Sequence, residues 1–284
     1  MKILVDQKSV VHLKKWFKNY VQTYKHNDRE SQLNIDLKED HTRRVGKEIV
    51  FLGKQLGLSD DELHLAKIIA LLHDVGRFEQ YARYRTFMDG KSEDHAELGI
   101  KILVKSGILK QFDAAIKEVI LGAIRYHNRS SLPREGAKTF LFFSKLLRDA
   151  DKLDIWKVVI DNYHRKDGKK NGALELDLPD TAGFSGEVYK DLINQRIVDL
   201  RHIKNLNDLK LLQASWVFDI NFQPTFDCIR KRRYLEMIRD VLPKSKEMEE
   251  IFDIAHSFLV PHAVPVGFKA SPRPPRLSGR TNGR

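Results

Sequence analysis

Two strong metal-ligating side chains stand side by side at His73-Asp74, directly after the apolar run Ile68-Ile69-Ala70-Leu71-Leu72. A run of this kind is buried, and a buried carboxylate without a partner is very costly, so Asp74 needs a cation. Adjacent side chains on a helix point about 100° apart. The pair therefore converges on one ion only where a helix ends, and Gly76 is the expected end signal. Taken alone, the pair fits a second reading equally well: a His and an Asp that cap a helix C-terminus and contact solvent.

Other residues change that balance. His41 opens the apolar stripe Val45, Ile49 and Leu52; His95 shares a face with Gly99 and Ile102; His127 has Ala123, Ile120 and Ile116 behind it; Asp151 lies between Leu147 and Ile155. Residues three or four apart share a helix face. Four histidines and two aspartates thus fall on stripes that face the core. A single core histidine is ordinarily satisfied by a hydrogen bond, whereas Asp151 between Leu and Ile is hard to explain without a cation. Within Asp149-Ala150-Asp151-Lys152-Leu153-Asp154, Asp149 is roughly 200° around the helix from Asp151. With Lys145 and Lys152 as neighbours, Asp149 reads as solvated. Asp151 is the expected ligand, and Asp154, on the same face, is placed to orient a ligating histidine.

The order His41, His73-Asp74, Asp151 resembles the HD superfamily of metal-dependent phosphohydrolases, over roughly residues 38–160. The acidic segment is similar to the last motif of that family, in which the aspartate before Lys/Arg-Leu is the ligand. His95 and His127, between the HD pair and the last aspartate, resemble the subset that holds two metals. The stretch from Leu71 to Gly99 also resembles stand-alone bacterial HD-domain proteins. The resemblance implies an all-α bundle. It does not extend to the cyclic-dinucleotide phosphodiesterases, which carry two consecutive histidines where this chain has His127-Asn128, and a Gly-Tyr-Pro signature that it lacks.

Mixed imidazole and carboxylate ligands suit Mn, Fe, Co, Ni or Zn. Six ligands exceed the need of one catalytic ion with open positions. Two ions use them all: His41, His73, Asp74 and Asp151 on one, and Asp74, His95 and His127 on the other. Ions about 4 Å apart bind a bridging hydroxide at neutral pH and clamp a phosphoryl group. The expected activity is phosphomono- or diester hydrolysis by metal-bound hydroxide, on a nucleotide or another small phosphorylated substrate. Asp74, Lys152 and Arg77 are the expected catalytic residues. Arg77 and Lys152, with Arg125, Asn128 and Arg129 around His127, are the expected phosphate-binding groups. In a chain with 50 Lys plus Arg, a cation near any given residue is also expected by chance. Two other readings stay open. HD-fold oxygenases with a di-iron pair share the same ligand order, and a non-catalytic HD scaffold would bind nucleotide or nucleic acid.

Composition bounds the rest. The chain has 284 residues, 42% of them hydrophobic, enough for a real core. Its single cysteine, Cys228, excludes a disulfide framework or a cysteine zinc site and fits a reducing compartment. No apolar run approaches the ~18 residues of a membrane span. Asp6 interrupts Ile3-Leu4-Val5, so no secretory signal is read, and the chain reads as soluble and cytoplasmic. Of the net charge of +11, residues 261–284 supply +5 through Lys269, Arg273, Arg276, Arg280 and Arg284, leaving +6 on the rest. That tail also holds five of the nine prolines and reads as disordered, either a nucleic-acid-binding arm or a passive extension. A body charge of +6 suits anionic substrates.

The elements expected to position these residues are helical. Val10, Leu13, Phe17, Tyr20, Val21 and Tyr24 mark a helix over 9–25, residues 26–37 read as loop, and the His41 helix ends near Gly57. Ser59 and Glu62 form a capping-box pattern opening the helix to His73. Residues 77–91 read as a connection, Ser92 as the N-cap of the His95 helix, 111–128 and 137–163 as helices, and 165–186 as an exposed linker or lid. Two or three helices fill 187–260, with Trp216, Phe218, Phe222 and Phe226 in their core. One domain over 1–260 is expected, with its motifs in 38–160, a helical extension over 187–260 and the tail after it. No strand pattern, Gly-rich phosphate loop or GxSxG elbow is present.

Overall fold

The computed structural model describes residues 3–25, 28–133, 135–165 and 172–259. The basic tail lies outside the described residues. The order is α1 (Gln7–Gln22), α2 (Arg29–Gln55), α3 (Asp60–Leu72), α4 (Val75–Tyr84), α5 (His95–Ser106), α6 (Ala114–Tyr126), α7 (Lys138–Tyr163), α8 (Gly172–Glu175), α9 (Gly186–Ile193), α10 (Leu206–Ser215), α11 (Gln223–Arg232), α12 (Tyr234–Arg239) and α13 (Lys246–Phe258). Among the described residues there is no strand, and the fold is all-α.

α2 packs along both α3 and α7, α6 packs on α7, and α4 lies against α5. The core between them is built from Ile49 and Leu52, Leu65, Ile68, Ile69 and Leu72, Ile116 and Ile120, and Leu146, Leu147 and Leu153. α11 and α12 cover α7 from the other side. This leaves α7 without a solvent face over much of its length: Arg148, Asp149, Lys152 and Asp154 are all buried alongside its apolar residues.

Several elements differ from the expectations, each for a local reason. Residues 28–37 are not loop: Asp28 caps α2 by accepting from Ser31 N, and the polar Ser31 and Asn34 are buried through hydrogen bonds, Asn34 reaching Tyr81 Oη. The connection over 77–91 is mostly helix α4 followed by a 3₁₀ turn, Asp89–Lys91. Asp94, not Ser92, caps α5, accepting from Ala96 N and Glu97 N, while Ser92 Oγ accepts from Gln80. Five helices, not two or three, fill the C-terminal region, because short helices of six to thirteen residues carry too few turns for a clear period. There Phe226 is buried, whereas Trp216, Phe218 and Phe222 are only partly so. Residues 166–171 of the expected linker lie outside the described residues. The part after them is fastened, since Asp208 accepts from Ser185 N and Oγ, and Leu206 N donates to Pro179 O.

Candidate metal centre

The centre forms where α3 gives way to α4. Helix α3 stops at Leu72, His73 is its C-cap, and Asp74 has φ −106° and ψ 15° at the entry to α4. Asp74 occupies an N-cap position, yet its side chain caps nothing and is free to turn inward. Gly76, the expected helix end signal, instead lies in the first turn of α4. A Cβ there would stand 2.0 Å from His95 O and 2.7 Å from Gly99 N. Only glycine lets α4 approach α5 this closely, and this approach carries His95 to Asp74.

The six expected ligands come from five different places: His41 from α2, His73 and Asp74 from the α3–α4 junction, His95 from the start of α5, His127 from the end of α6 and Asp151 from α7. Five of them are buried; Asp151 is the most open, with its side chain 14% exposed. Asp74 divides them. Its Oδ2 lies 3.5 Å from His41 Nε2 and 3.7 Å from His73 Nε2, and its Oδ1 lies 3.4 Å from His95 Nε2 and 3.6 Å from His127 Nε2. Asp151 Oδ1 lies 3.1 Å from His41 Nε2 and 3.8 Å from His73 Nε2. Two nitrogen pairs also face each other, His41 with His73 at 3.3 Å and His95 with His127 at 2.9 Å. Ligands about 2.1 Å from one ion are about 3.0–3.4 Å from each other, which is close to the spacing of these atoms.

The opposite ring nitrogens explain why these atoms converge. His41 Nδ1 donates to Asp154 at 2.7 Å, His73 Nδ1 to Ala70 O at 2.8 Å, His95 Nδ1 to Asp89 at 2.8 Å and His127 Nδ1 to Ile124 O at 2.6 Å. His73 and His127 share one device: each terminates a helix and turns back onto a carbonyl three residues earlier, a group the helix end leaves unpaired. With Nδ1 donating, a neutral imidazole keeps its lone pair on Nε2. Four Nε2 atoms and two carboxylates then face one another.

Burial pushes His73 down to about 4 and His95 down to about 3, so both are neutral near pH 7. His41 differs. Burial and Lys38 lower it, but the carboxylates of Asp151 and Asp154 carry it above the usual range. Burial alone would raise Asp74, and Lys38, His73, His127 and Arg77 together hold it well below the carboxylate range. Asp151 is likewise held low against burial, chiefly by His41, and its buried Oδ1 has no hydrogen-bond partner. An orphaned carboxylate oxygen among inward-facing imidazoles is a donor set without an acceptor, and it fits a divalent cation. The sets His41–His73–Asp74, His73–His127–Asp151 and Asp74–His95–His127 are each compact enough to hold one ion. A fourth cluster, Asp89–Asp94–His95, is equally compact. Its charges, however, are met by Arg77, Arg129 and Asn128.

The expected phosphate-binding groups are distributed differently. Arg77 Nε lies 3.7 Å from Asp74 Oδ1 and has no hydrogen-bond partner, while its Nη1 is held by Gln80, Phe87 O and Asp89. Lys152 Nζ donates to Asp219 at 2.6 Å. Arg125 pairs with Glu97, Arg129 with Asp94 and Glu97, and Asn128 donates to Asp89 and Asp94. Asp149 is not solvated. It is fully buried and accepts from Asn221 N and Nδ2 and Phe222 N, and burial raises it to about 6. Rotation about α7 turns it away from Asp151, but the face it lies on is covered by residues 219–222 rather than by water.

Three residues were absent from the sequence reading. Lys38 Nζ donates to Asp74 Oδ2 at 3.0 Å, Asp89 holds His95, and Arg44 Nε donates to Asp154 at 2.6 Å. Lys38 and Arg44 are three residues either side of His41 and so share its face, a signal available in the sequence. Asp89, in a polar turn, gave none.

Neither a curated protein nor a solved structure matches the chain. Residues 39–156 match the HD domain family model. That span takes in every one of the six converging residues, and with the all-α fold and a His/Asp cluster suited to metal it makes this part of the chain similar to the HD domain, whose family is composed mostly of metal-dependent hydrolases.

Proposed function

We propose that the protein is a metal-dependent phosphohydrolase acting on a small phosphorylated substrate. His41, His73, Asp74 and Asp151 hold one divalent ion, and Asp74, His95 and His127 hold a second. The observation that carries this reading is the meeting of four Nε2 atoms and two carboxylates on either side of Asp74, with Asp151 Oδ1 unpartnered. Bound there, divalent ions supply Lewis-acid activation of a water molecule and of phosphoryl oxygens.

The remaining work belongs to the chain. Asp154 and Asp89 fix the rings of His41 and His95, so that both present Nε2 without reorganisation. The greater exposure of Asp151 marks the side from which substrate enters. Arg77, with Nε unpartnered beside Asp74, is the best placed of the expected cations to meet a phosphoryl oxygen. Lys152 is engaged by Asp219 and supports structure before substrate.

The test is metal analysis of the purified protein, followed by assay of phosphate mono- and diesters with Mn, Fe, Co, Ni and Zn in isotopically labelled water. Label in the released phosphate, with activity retained under exclusion of oxygen, is the expected result. Oxygen consumption with no labelled phosphate would replace this reading with a di-iron oxygenase. A metal-free protein that still binds nucleotide would replace it with a binding scaffold.

A further inference from the structure

We infer that Lys38 grips the substrate's phosphoryl group, and that the favoured substrate is therefore a phosphomonoester. This rests on the metal-dependent phosphohydrolase reading and sharpens it.

The position of Lys38 is the starting point. It lies one turn before His41 on α2, and its ammonium stands 3.0 Å from Asp74 Oδ2, the oxygen that His41 and His73 face. Its side chain is 18% exposed where those of Asp74 and His73 are 3% and 0%, so it approaches the centre from the open side. The ammonium is steadied by Phe87, whose ring centroid is 5.4 Å from Nζ. Phe87 belongs to the loop that also carries Asp89, the partner of His95.

Five of the cations around the centre are turned to structural carboxylates. Arg44 is held by Asp154, Lys152 and Arg148 by Asp219, Arg125 by Glu97, and Arg129 by Asp94. Lys38 and Arg77 differ in that their carboxylate is the dividing Asp74 itself. Arg77 lies on the Oδ1 side with its Nη1 fixed by Gln80, Phe87 O and Asp89, whereas the Lys38 ammonium meets Oδ2 at 3.0 Å. An ammonium has three donors in a freely rotating tripod, so it can keep Asp74 and accept a second anion. A phosphoryl oxygen bound to an ion held by Asp74 would lie about 3 Å from the neighbouring ligand oxygen, within reach of the same ammonium.

The substrate class follows from counting oxygens. Two ions held on either side of Asp74 would each be placed to take one non-ester oxygen of the phosphoryl group. A phosphodiester has no third. A phosphomonoester does, and Lys38 is the group positioned to hold it. Water then adds to phosphorus as the single P–O ester bond breaks, and the leaving alcohol takes up a proton.

The experiment uses the full chain loaded with Mn(II), with inorganic phosphate as the probe, in wild type, Lys38→Met and Lys38→Arg. Methionine keeps a flexible side chain of similar length and removes the charge. Expected is unchanged metal content in Lys38→Met, with phosphate affinity lower by about tenfold to a hundredfold, the loss of one charge-assisted hydrogen bond. In assays with p-nitrophenyl phosphate and its bis ester, KM should rise for the monoester and change little for the diester, and Lys38→Arg should recover part of the loss. Phosphate binding as tight as wild type in Lys38→Met overturns the inference, as does an equal rise in KM for both esters. Loss of metal from Lys38→Met overturns it too, since the lysine would then hold the metal site rather than the substrate. A wild-type protein that binds no metal removes the underlying reading and this inference together, and is distinguished by metal analysis alone.

Discussion

On one side of Asp74 stand three further donors, His41, His73 and Asp151, and on the other only two, His95 and His127. The richer side also has the stronger support from other elements. His41 is held by Asp154, which Arg44 fixes in turn, and Asp151 comes from the middle of α7. The poorer side is assembled from a helix start and a helix end, His95 on α5 and His127 after α6. Its geometry depends on the close crossing of α4 and α5 at Gly76. An ion with four protein donors is bound more tightly than one with three, and the latter keeps more positions open for water and substrate. In the proposed two-ion reading the two sides thus suit different tasks, retention on one and exchange on the other.

The largest effect tests whether the sides share a part. Asp74→Ala removes the carboxylate that faces both, and metal content should fall to background at both positions with activity. Metal analysis after dialysis against a micromolar metal buffer measures this. Retention of one full equivalent would mean that Asp74 serves one side only.

A smaller and asymmetric effect should separate the sides. His127→Ala removes one of three donors from the poorer side, and the protein should keep about one equivalent of metal there being still four donors on the other side. Asp151→Ala should weaken the richer side but leave it His41, His73 and Asp74, so both positions survive with lowered affinity. Titration with Co(II), read by its visible spectrum, distinguishes a missing site from a weakened one. If His127→Ala and Asp151→Ala gave the same stoichiometry and spectrum, the division at Asp74 would be wrong.

The same contrast governs what was legible in the sequence. All six converging residues lie on or beside apolar stripes, so their burial could be read from periodicity, and buried polar groups of metal-binding type are rare enough to stand out. Which carboxylate of 149, 151 and 154 faces inward followed from rotation about one helix. What rotation could not provide is what covers the opposite face. Arg148, Asp149 and Lys152 resemble a solvated stripe, and only the packing of residues 216–226 on α7 makes them buried. Asp89 was illegible for a related reason: its value lies in partners brought to it by the fold, Arg77, His95 and Asn128, not in its own neighbours. Gly76 was noticed for the wrong property, since its missing Cβ matters for the approach of another helix and not for ending its own.

The smallest effect expected on the centre comes from outside the matched span, at Asp219. Its Oδ2 accepts from Nε and Nη2 of the buried Arg148 and from Lys152 Nζ. Arg148 Nη1 in turn donates to the carbonyls of Tyr126, His127 and Arg129, gathering the end of α6 just where His127 turns inward. Asp219 therefore acts on the poorer side through Arg148, as a positioning residue. Asp219→Asn keeps the shape and removes the charge that holds two buried cations together. Arg148 is then free to shift, and His127 loses part of its fixed orientation. Affinity at the His95–His127 position should fall by several-fold, about the lower end of the range seen when outer partners of a ligand are removed. Affinity at the His41–His73–Asp151 position should not change, and Asp219→Glu should restore part of the loss. A merely structural role would lower the thermal midpoint without separating the two metal affinities. Equal weakening of both positions, or of neither, would show that the C-terminal region steadies α7 as a whole and has no particular hold on His127.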